Sequence, residues 1–212
     1  MQKFLPIFPL NLVAFPGEQL NLHIFEPRYK QLISECSKEN KTFGIPVVDN
    51  NQMLDHGTEM ELIKIHKVYP NDEMDIQVRG LQVFRLLEVV REIPDKLYAG
   101  AIISLLPNVE DKHSRLALEL EELTVELFSL LDVREQMEKP DFAFKSFRLG
   151  HYVGFDLKDE YELLRHVRET ERQKLIVEHI KRILPSVKQV SDMRERAKLN
   201  GQYRMVNPPD FL

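Results

Sequence analysis

Histidine titrates nearest neutral pH, and the sequence carries seven: His23, His56, His66, His113, His151, His166 and His179. No two are three or four residues apart and none belongs to an H-E-x-x-H pair, so no helical zinc site is encoded locally. Glu178-His179, with Lys181 and Arg182 nearby, reads as a solvated helix face, and His23 falls on the polar side of a strand. The glycines are Gly17, Gly44, Gly57, Gly80, Gly100, Gly150, Gly154 and Gly201. No two are five apart, none precedes lysine and no G-x-G occurs, which removes a phosphate-cradling loop and a dinucleotide fingerprint. No serine has glycines two positions away on both sides, so there is no nucleophile elbow. Adjacent carboxylates such as Glu121-Glu122 and Asp159-Glu160 diverge around a helix and form no local glycosidase dyad. The expectation is a non-enzyme with no catalytic residue, no cofactor and no metal. A hydrolase assembled from distant residues stays open as the weakest reading.

The elements that would hold such side chains follow from composition and period. The 212 residues include 29 Lys+Arg against 34 Asp+Glu, for a formal charge of −5, and 43% are hydrophobic. This balance suits a folded chain of one large domain or two small ones. The single cysteine, Cys36, excludes an internal disulfide framework and fits a reducing compartment. No stretch reaches the roughly 18 apolar residues a membrane helix needs. The apolar start is broken by Pro6, Pro9, Asn11 and Pro16 and reads as folded structure, not a signal peptide. A cytoplasmic location is expected.

The period changes near Asn108. Before it, Leu20, Leu22 and Ile24 alternate with polar residues, and further strands are expected at 43–48, 59–68, 74–78, 81–90 and 97–106. Gly80 marks a bulge or bend. One helix interrupts the strands from Glu26-Pro27, with Tyr29, Leu32, Ile33 and Cys36 as its apolar stripe. About six short strands suggest a small barrel or sandwich.

After Asn108 the apolar spacing is helical. Leu116, Leu120, Leu123, Leu127 and Leu130 predict a helix over 110–138. The chain restarts at Pro140-Asp141, and Phe142, Phe147, Leu149, Val153 and Phe155 predict a loosened helical segment. A short helix carries Leu163, Leu164 and Val167. Thr170 to Gln173 and Ser186 to Gln189 match capping boxes, with Pro185 as a stop and Asn200-Gly201 as a C-cap. The units are a barrel over 1–108, helices over 109–201 and an extended tail over 202–212.

Charge is uneven. Residues 110–163 hold 7 basic and 14 acidic side chains, while 164–204 hold 11 basic and 5 acidic. Arg165, Arg168, Arg172, Lys181, Arg182, Lys188, Arg194, Arg196 and Lys198 form either a face for nucleic acid or the counter-charge of the acidic helix packed beside them. Few aromatics lie among them for base stacking, which favours the second.

Three runs carry a family resemblance. Leu5-Pro6-Ile7-Phe8-Pro9-Leu10, then Val13-Ala14-Phe15-Pro16-Gly17-Glu18, then Leu20-Asn21-Leu22-His23-Ile24-Phe25-Glu26-Pro27-Arg28-Tyr29 resemble the start of the Lon protease N-terminal domain. Phe43-Gly44, Gly57-Thr58 with Glu61-Leu62, and the run from Val78 to Leu86 are similar to its later strands. Asn21 departs from the family pattern, and Val83 replaces its usual first arginine. Glu162-Leu163-Leu164 followed by Arg172 resembles a helical segment of the family. The likeness covers about 1–185 and is specific over 5–85.

The resemblance implies an α+β fold: a PUA-like β-barrel with one embedded helix, followed by a C-terminal α-helical bundle. It implies a stand-alone substrate-recognition module without the ATPase and Ser–Lys protease domains of Lon. The implied partners are unfolded or tagged polypeptides, with a separate protease as a further partner and no membrane. Nucleic acid is disfavoured, and an RNA-binding PUA-like protein using 164–204 is the alternative. The expected state is a monomer or weak dimer. The candidate contact residues are Phe15, His23, Phe25, Arg28 and Tyr29, which cluster at the strand-to-helix corner. The competing reading has Phe25 and Tyr29 closing the barrel end and Arg28 paired with Glu26. Capture of a peptide at an exposed sheet edge is a further route.

Overall fold

The computed structural model describes residues 2–133 and 145–203, with side chains described to 197. Six strands come first: β1 (Gln2–Pro6), β2 (Gln19–Ile24), β3 (Phe43–Asp49), β4 (Gln52–Val68), β5 (Met74–Val90) and β6 (Gly100–Leu105). Helix α1 (Pro27–Glu39) lies between β2 and β3. The sheet order is β1-β6-β5-β4-β3, all antiparallel, with β2 added on β5. The segment after β1 closes the sheet on itself. Ile7 bridges Gly44 and Leu10 bridges Val47 in parallel, so this segment meets β3 and the barrel has a seam.

The expected break at Gly80 is a bulge inside one continuous strand. Gln82 pairs with Glu59 and Gly80 with Met60, which leaves Leu81 as the extra residue. The bend lets β5 pair with β2 before it and with β6 after it. Only glycine fits, because a Cβ at residue 80 would stand 2.3 Å from the Phe15 carbonyl oxygen.

Helix α1 buries Tyr29, Leu32, Ile33 and Cys36 against the barrel, as its stripe predicts. It ends at Asn40, whose left-handed backbone (φ 52°) directs its N–H to the Cys36 carbonyl. Burial pushes the Cys36 thiol up to about 11, so it is an inert core residue.

The second half contains α2 (Ser114–Leu131), α3 (Ser146–Leu149), α4 (Leu157–Arg165) and α5 (Glu169–Tyr203). Helix α2 is shorter than expected: His113 caps its start and left-handed Asp132 its end. Residues 134–138, Pro140-Asp141 and Phe142 lie outside the described residues. Val153 and Phe155 sit in the turns after α3, not in a continuous helix.

Three boundaries inside α5 need correction. The Thr170–Gln173 box does not form, because Asp111 reaches across and accepts from the Thr170 N–H (3.0 Å) and hydroxyl (2.8 Å). Gln173 instead donates to Glu169. Pro185 does not stop the helix. It forfeits one bond to the Lys181 carbonyl, on a turn where Lys181 and Arg182 are exposed to water. Ser186 therefore starts nothing, and the helix runs past Asn200-Gly201 through Gln202 to Tyr203. Residues 204–212 of the expected tail lie outside the described residues.

Barrel and helices share a core. Val13, Phe15, Val47 and Val83 pack with Leu120, Phe128, Leu149, Leu163 and Ile180. A second cluster fills the barrel between α1 and the strands.

Candidate polypeptide-contact surface

The β2–α1 corner is built by phase. Leu20, Leu22 and Ile24 turn inward, so His23 and the residue after the strand, Phe25, turn out. Phe25 is 59% exposed, the most exposed aromatic among the described residues. The His23 ring lies 6.2 Å from Phe25 in a stacked arrangement and 5.8 Å from Tyr69 edge-on. Tyr69 belongs to the β4–β5 turn, and Lys67 lies over its ring at 4.2 Å. Three rings from two segments thus form one platform, with His23 and Phe25 exposed and Tyr69 half-buried.

Polar contacts fix the platform. His23 Nδ1 is 2.7 Å from Asp75, and the Tyr69 hydroxyl donates to the other Asp75 oxygen at 2.8 Å. His23 and Asp75 are directly opposed in the β2–β5 ladder. The hydrogen bond that His23 donates to Asp75, helped by Glu73 at 3.4 Å, raises the His23 pKa above its ordinary value. The bonds from His23 and Tyr69 lower that of Asp75.

The other expected contact residues divide. Arg28 is exposed and pairs with Glu26 at 2.7 Å, with its guanidinium 4.5 Å from the Tyr29 ring. Tyr29 is buried at 6% exposure and packs on Phe8 with ring centres 4.0 Å apart, in the cluster between α1 and the strands. Phe15 is fully buried against Phe147 and His151 at the barrel–helix junction, remote in environment from the corner. The structure therefore brings His23 and Phe25 together at the surface, leaves Arg28 exposed on its pair with Glu26, and places Phe15 and Tyr29 in the cores. Tyr69, Lys67 and Asp75 are the additions. Only the β2–β5 register reveals Asp75, and the turn signal at Pro70-Asn71-Asp72 points to Tyr69.

Three histidine clusters lie elsewhere, and one corrects an expectation: His179, read as part of a solvated face, is 6% exposed, with its Nε2 3.1 Å from the Val153 carbonyl and its ring edge-on to Phe155. At the barrel–helix junction, Tyr161 donates to Asp55 at 2.6 Å and lies 3.1 Å from His56. Burial and the Asp55 carboxylate push the Tyr161 hydroxyl up, and burial pushes His56 down, so the cluster holds a protonated phenol beside a neutral imidazole. That is a structural hydrogen-bond set, not an activated nucleophile. His151 sits between Glu18 and Glu160. Among the described residues, no group of three or more His, Cys, Asp or Glu is placed to hold a metal ion, and no helix is long and apolar enough to cross a membrane.

The basic stretch is mostly neutralised. Lys181 pairs with Glu119 and Lys188 with Glu126 on α2, while Arg165 pairs with Glu162 and Arg168 with Asp111. Arg172, expected on that face, is 1% exposed and bonded to Glu169, Ser146, Asn108 and the His166 carbonyl.

A family model described as the ATP-dependent protease La (LON) substrate-binding domain matches residues 4–182. The chain belongs to this family. The match agrees with the resemblance read over about 1–185, across both the barrel and most of the helices. Among relatives, Lon protease 2 of Myxococcus xanthus is 28% identical over 204 residues, covering 85% of this chain and 24% of that protein. Lon protease of Anaeromyxobacter dehalogenans is 28% identical over 202 residues, covering 84% and 23%. This chain therefore spans about a quarter of the length of these relatives. Two solved structures share the fold. The Lon N-terminal domain protein from Xanthomonas campestris aligns with a TM-score of 0.62 and 21% identity, over 82% of this chain and 97% of that one. The N-terminal domain of the Mycobacterium avium complex Lon protease aligns with a TM-score of 0.64 and 14% identity, over 84% and 98%. This shared fold is a sheet followed by helices, the order that the period change at Asn108 implies.

Proposed function

We propose that this protein is a non-catalytic recognition module for unfolded or tagged polypeptides, and that the Phe25–His23–Tyr69 platform is a contact surface for them. The observation that carries this is the 59% exposure of the Phe25 ring, held on a fixed partner instead of folded into the core beside Tyr29. A ring presented this way gains by covering apolar side chains, which folded proteins hide and unfolded ones expose. Membership of a substrate-binding family supports the same reading. Lys67, over the Tyr69 ring, gives the patch a charged margin that keeps it soluble.

Fluorescence anisotropy with reduced, carboxymethylated lactalbumin tests it. Binding is expected in the micromolar range, weakened at least about tenfold by Phe25→Ser, a loss of about 1.4 kcal/mol. Phe25 is outside both cores, so the substitution leaves the fold intact. Absence of binding up to about 1 mM rules the reading out.

A further inference from the structure

The barrel seam is incomplete. Strand β1 pairs with β6 on one side, and its first bridge to β3 is at Ile7. The two strands diverge below that bridge. Between residues 3–6 on one wall and 40–42 on the other lies a groove of about 520 Å³, floored by Cys36, Ile93 and Tyr98.

The direction of the free backbone groups follows from alternation. The Ile7 N–H donates to Ala99 at 3.0 Å, so the amides of Lys3 and Leu5 also face β6. Those of Gln2 and Phe4 face away from it. The Phe8 N–H, in the same phase, donates to Gly44 on that far side at 2.7 Å. Among the described residues no strand lies beside Gln2 and Phe4 there. A main chain laid in the groove would continue the pattern that Phe8 and Gly44 begin.

The charge of the rim narrows the occupant. Lys3 is bonded to Glu59 at 2.5 Å, Lys96 to Glu35 at 2.8 Å, and Lys41 pairs with Glu39. Tyr98 also donates to Glu35. Burial works against the Glu35 charge, but the bonds from Lys96, Tyr98 and Gln31 outweigh it and hold the carboxyl below its ordinary range. Each ammonium is spent on a carboxylate, so the groove complements a neutral segment and has no excess charge with which to select an anion. Phe4, 49% exposed, adds an apolar wall. The floor is held from α1, because Gln31 bonds to Asp95 and Leu97 in the loop that carries Ile93 and Tyr98.

We propose that this groove takes an extended, uncharged stretch of an unfolded polypeptide as an added strand along the free edge of β1. The proposal rests on the polypeptide-recognition reading and gives it a second, main-chain contact. Main-chain bonding supplies affinity without demanding a sequence, as a broad-specificity binder requires.

Amide hydrogen exchange read by NMR tests it, using the whole protein and a short peptide of alternating valine and threonine. Saturating peptide is expected to slow exchange at Gln2 and Phe4 at least about tenfold. Phe4→Pro removes an N–H that β6 does not use and is expected to weaken binding about tenfold. The peptide with valines changed to aspartates should also bind at least about tenfold more weakly. Protection confined to the Phe25 corner, or absent at Gln2 and Phe4, overturns the groove and leaves the recognition reading standing. If the peptide fails to bind while unfolded lactalbumin binds, the groove alone falls. If neither binds, both fall.

Discussion

His151 Nε2 stands 3.1 Å from the Glu18 carboxylate, joining the turn after α3 to the loop that leads into β2. Its other nitrogen lies 2.6 Å from Glu160 on α4. Burial works against the imidazolium, but the two carboxylates more than offset it and raise the pKa to about 9. The charged ring donates to both halves of the molecule.

A raised histidine pKa stabilises the fold fully below the unfolded value, near 6.5, and that contribution is lost as pH rises through about 9. Thermal melts of wild type and His151→Gln at matched pH isolate it. The difference should be on the order of 1 kcal/mol at pH 6, reduced by the solvent around a partly exposed side chain, and should shrink toward zero by pH 10. A difference independent of pH would mean that His151 acts by packing alone.

Phe15 separates stability from binding. It is fully buried, and a Cβ on Gly150 would come within 2.4 Å of its ring. Phe15→Ala should cost about 3–5 kcal/mol and Gly150→Ala about 1–3 kcal/mol, read by urea denaturation. Folded Phe15→Ala protein at low temperature should bind unfolded lactalbumin as wild type does. A selective loss of affinity with unchanged stability would return Phe15 to the contact surface.

Much of this was legible in the chain, for a physical reason. Strand alternation in β2 decides that Phe25 faces out, and 3.6-residue spacing decides that Tyr29 and Cys36 face in. Neither depends on distant residues. Phe15 was misleading because the side chains that bury it, Phe147 and His151, come from more than a hundred positions later. Thr170 failed as a cap for the same reason, since Asp111 supplied a stronger acceptor from outside the helix. The Asp75 partner of His23 becomes visible only once the β2–β5 register is known.

Arg172 is the polar hub of the helical half. Its Nε donates to Ser146 at 2.8 Å, and its Nη atoms donate to the His166 carbonyl (2.7 Å), Asn108 (2.7 Å) and Glu169 (2.9 Å). The guanidinium also covers the Phe147 ring at 4.1 Å. Arg172→Ala leaves Glu169 buried without its counter-charge and should cost about 3–5 kcal/mol in equilibrium unfolding. Arg172→Lys should recover only part, because one ammonium cannot reproduce the fork. A loss under 1 kcal/mol for the alanine variant would show that water replaces the guanidinium.

The basic residues of α5 make the last test. Lys181 and Lys188 face Glu119 and Glu126 across the α2–α5 contact, so their charge is already answered within the fold. Exposed pairs of this kind contribute little to stability, because solvent and salt screen them. An RNA-binding face would behave differently. Neutralising phosphates releases counterions, so affinity would fall steeply between 50 and 200 mM salt, roughly as the number of phosphates contacted. Gel shifts with single-stranded and duplex RNA should show no band even at low salt, and Lys181→Glu with Lys188→Glu should lower the melting temperature without changing that result. A shifted band lost steeply with salt and abolished by those substitutions would establish the nucleic-acid reading in place of the polypeptide one.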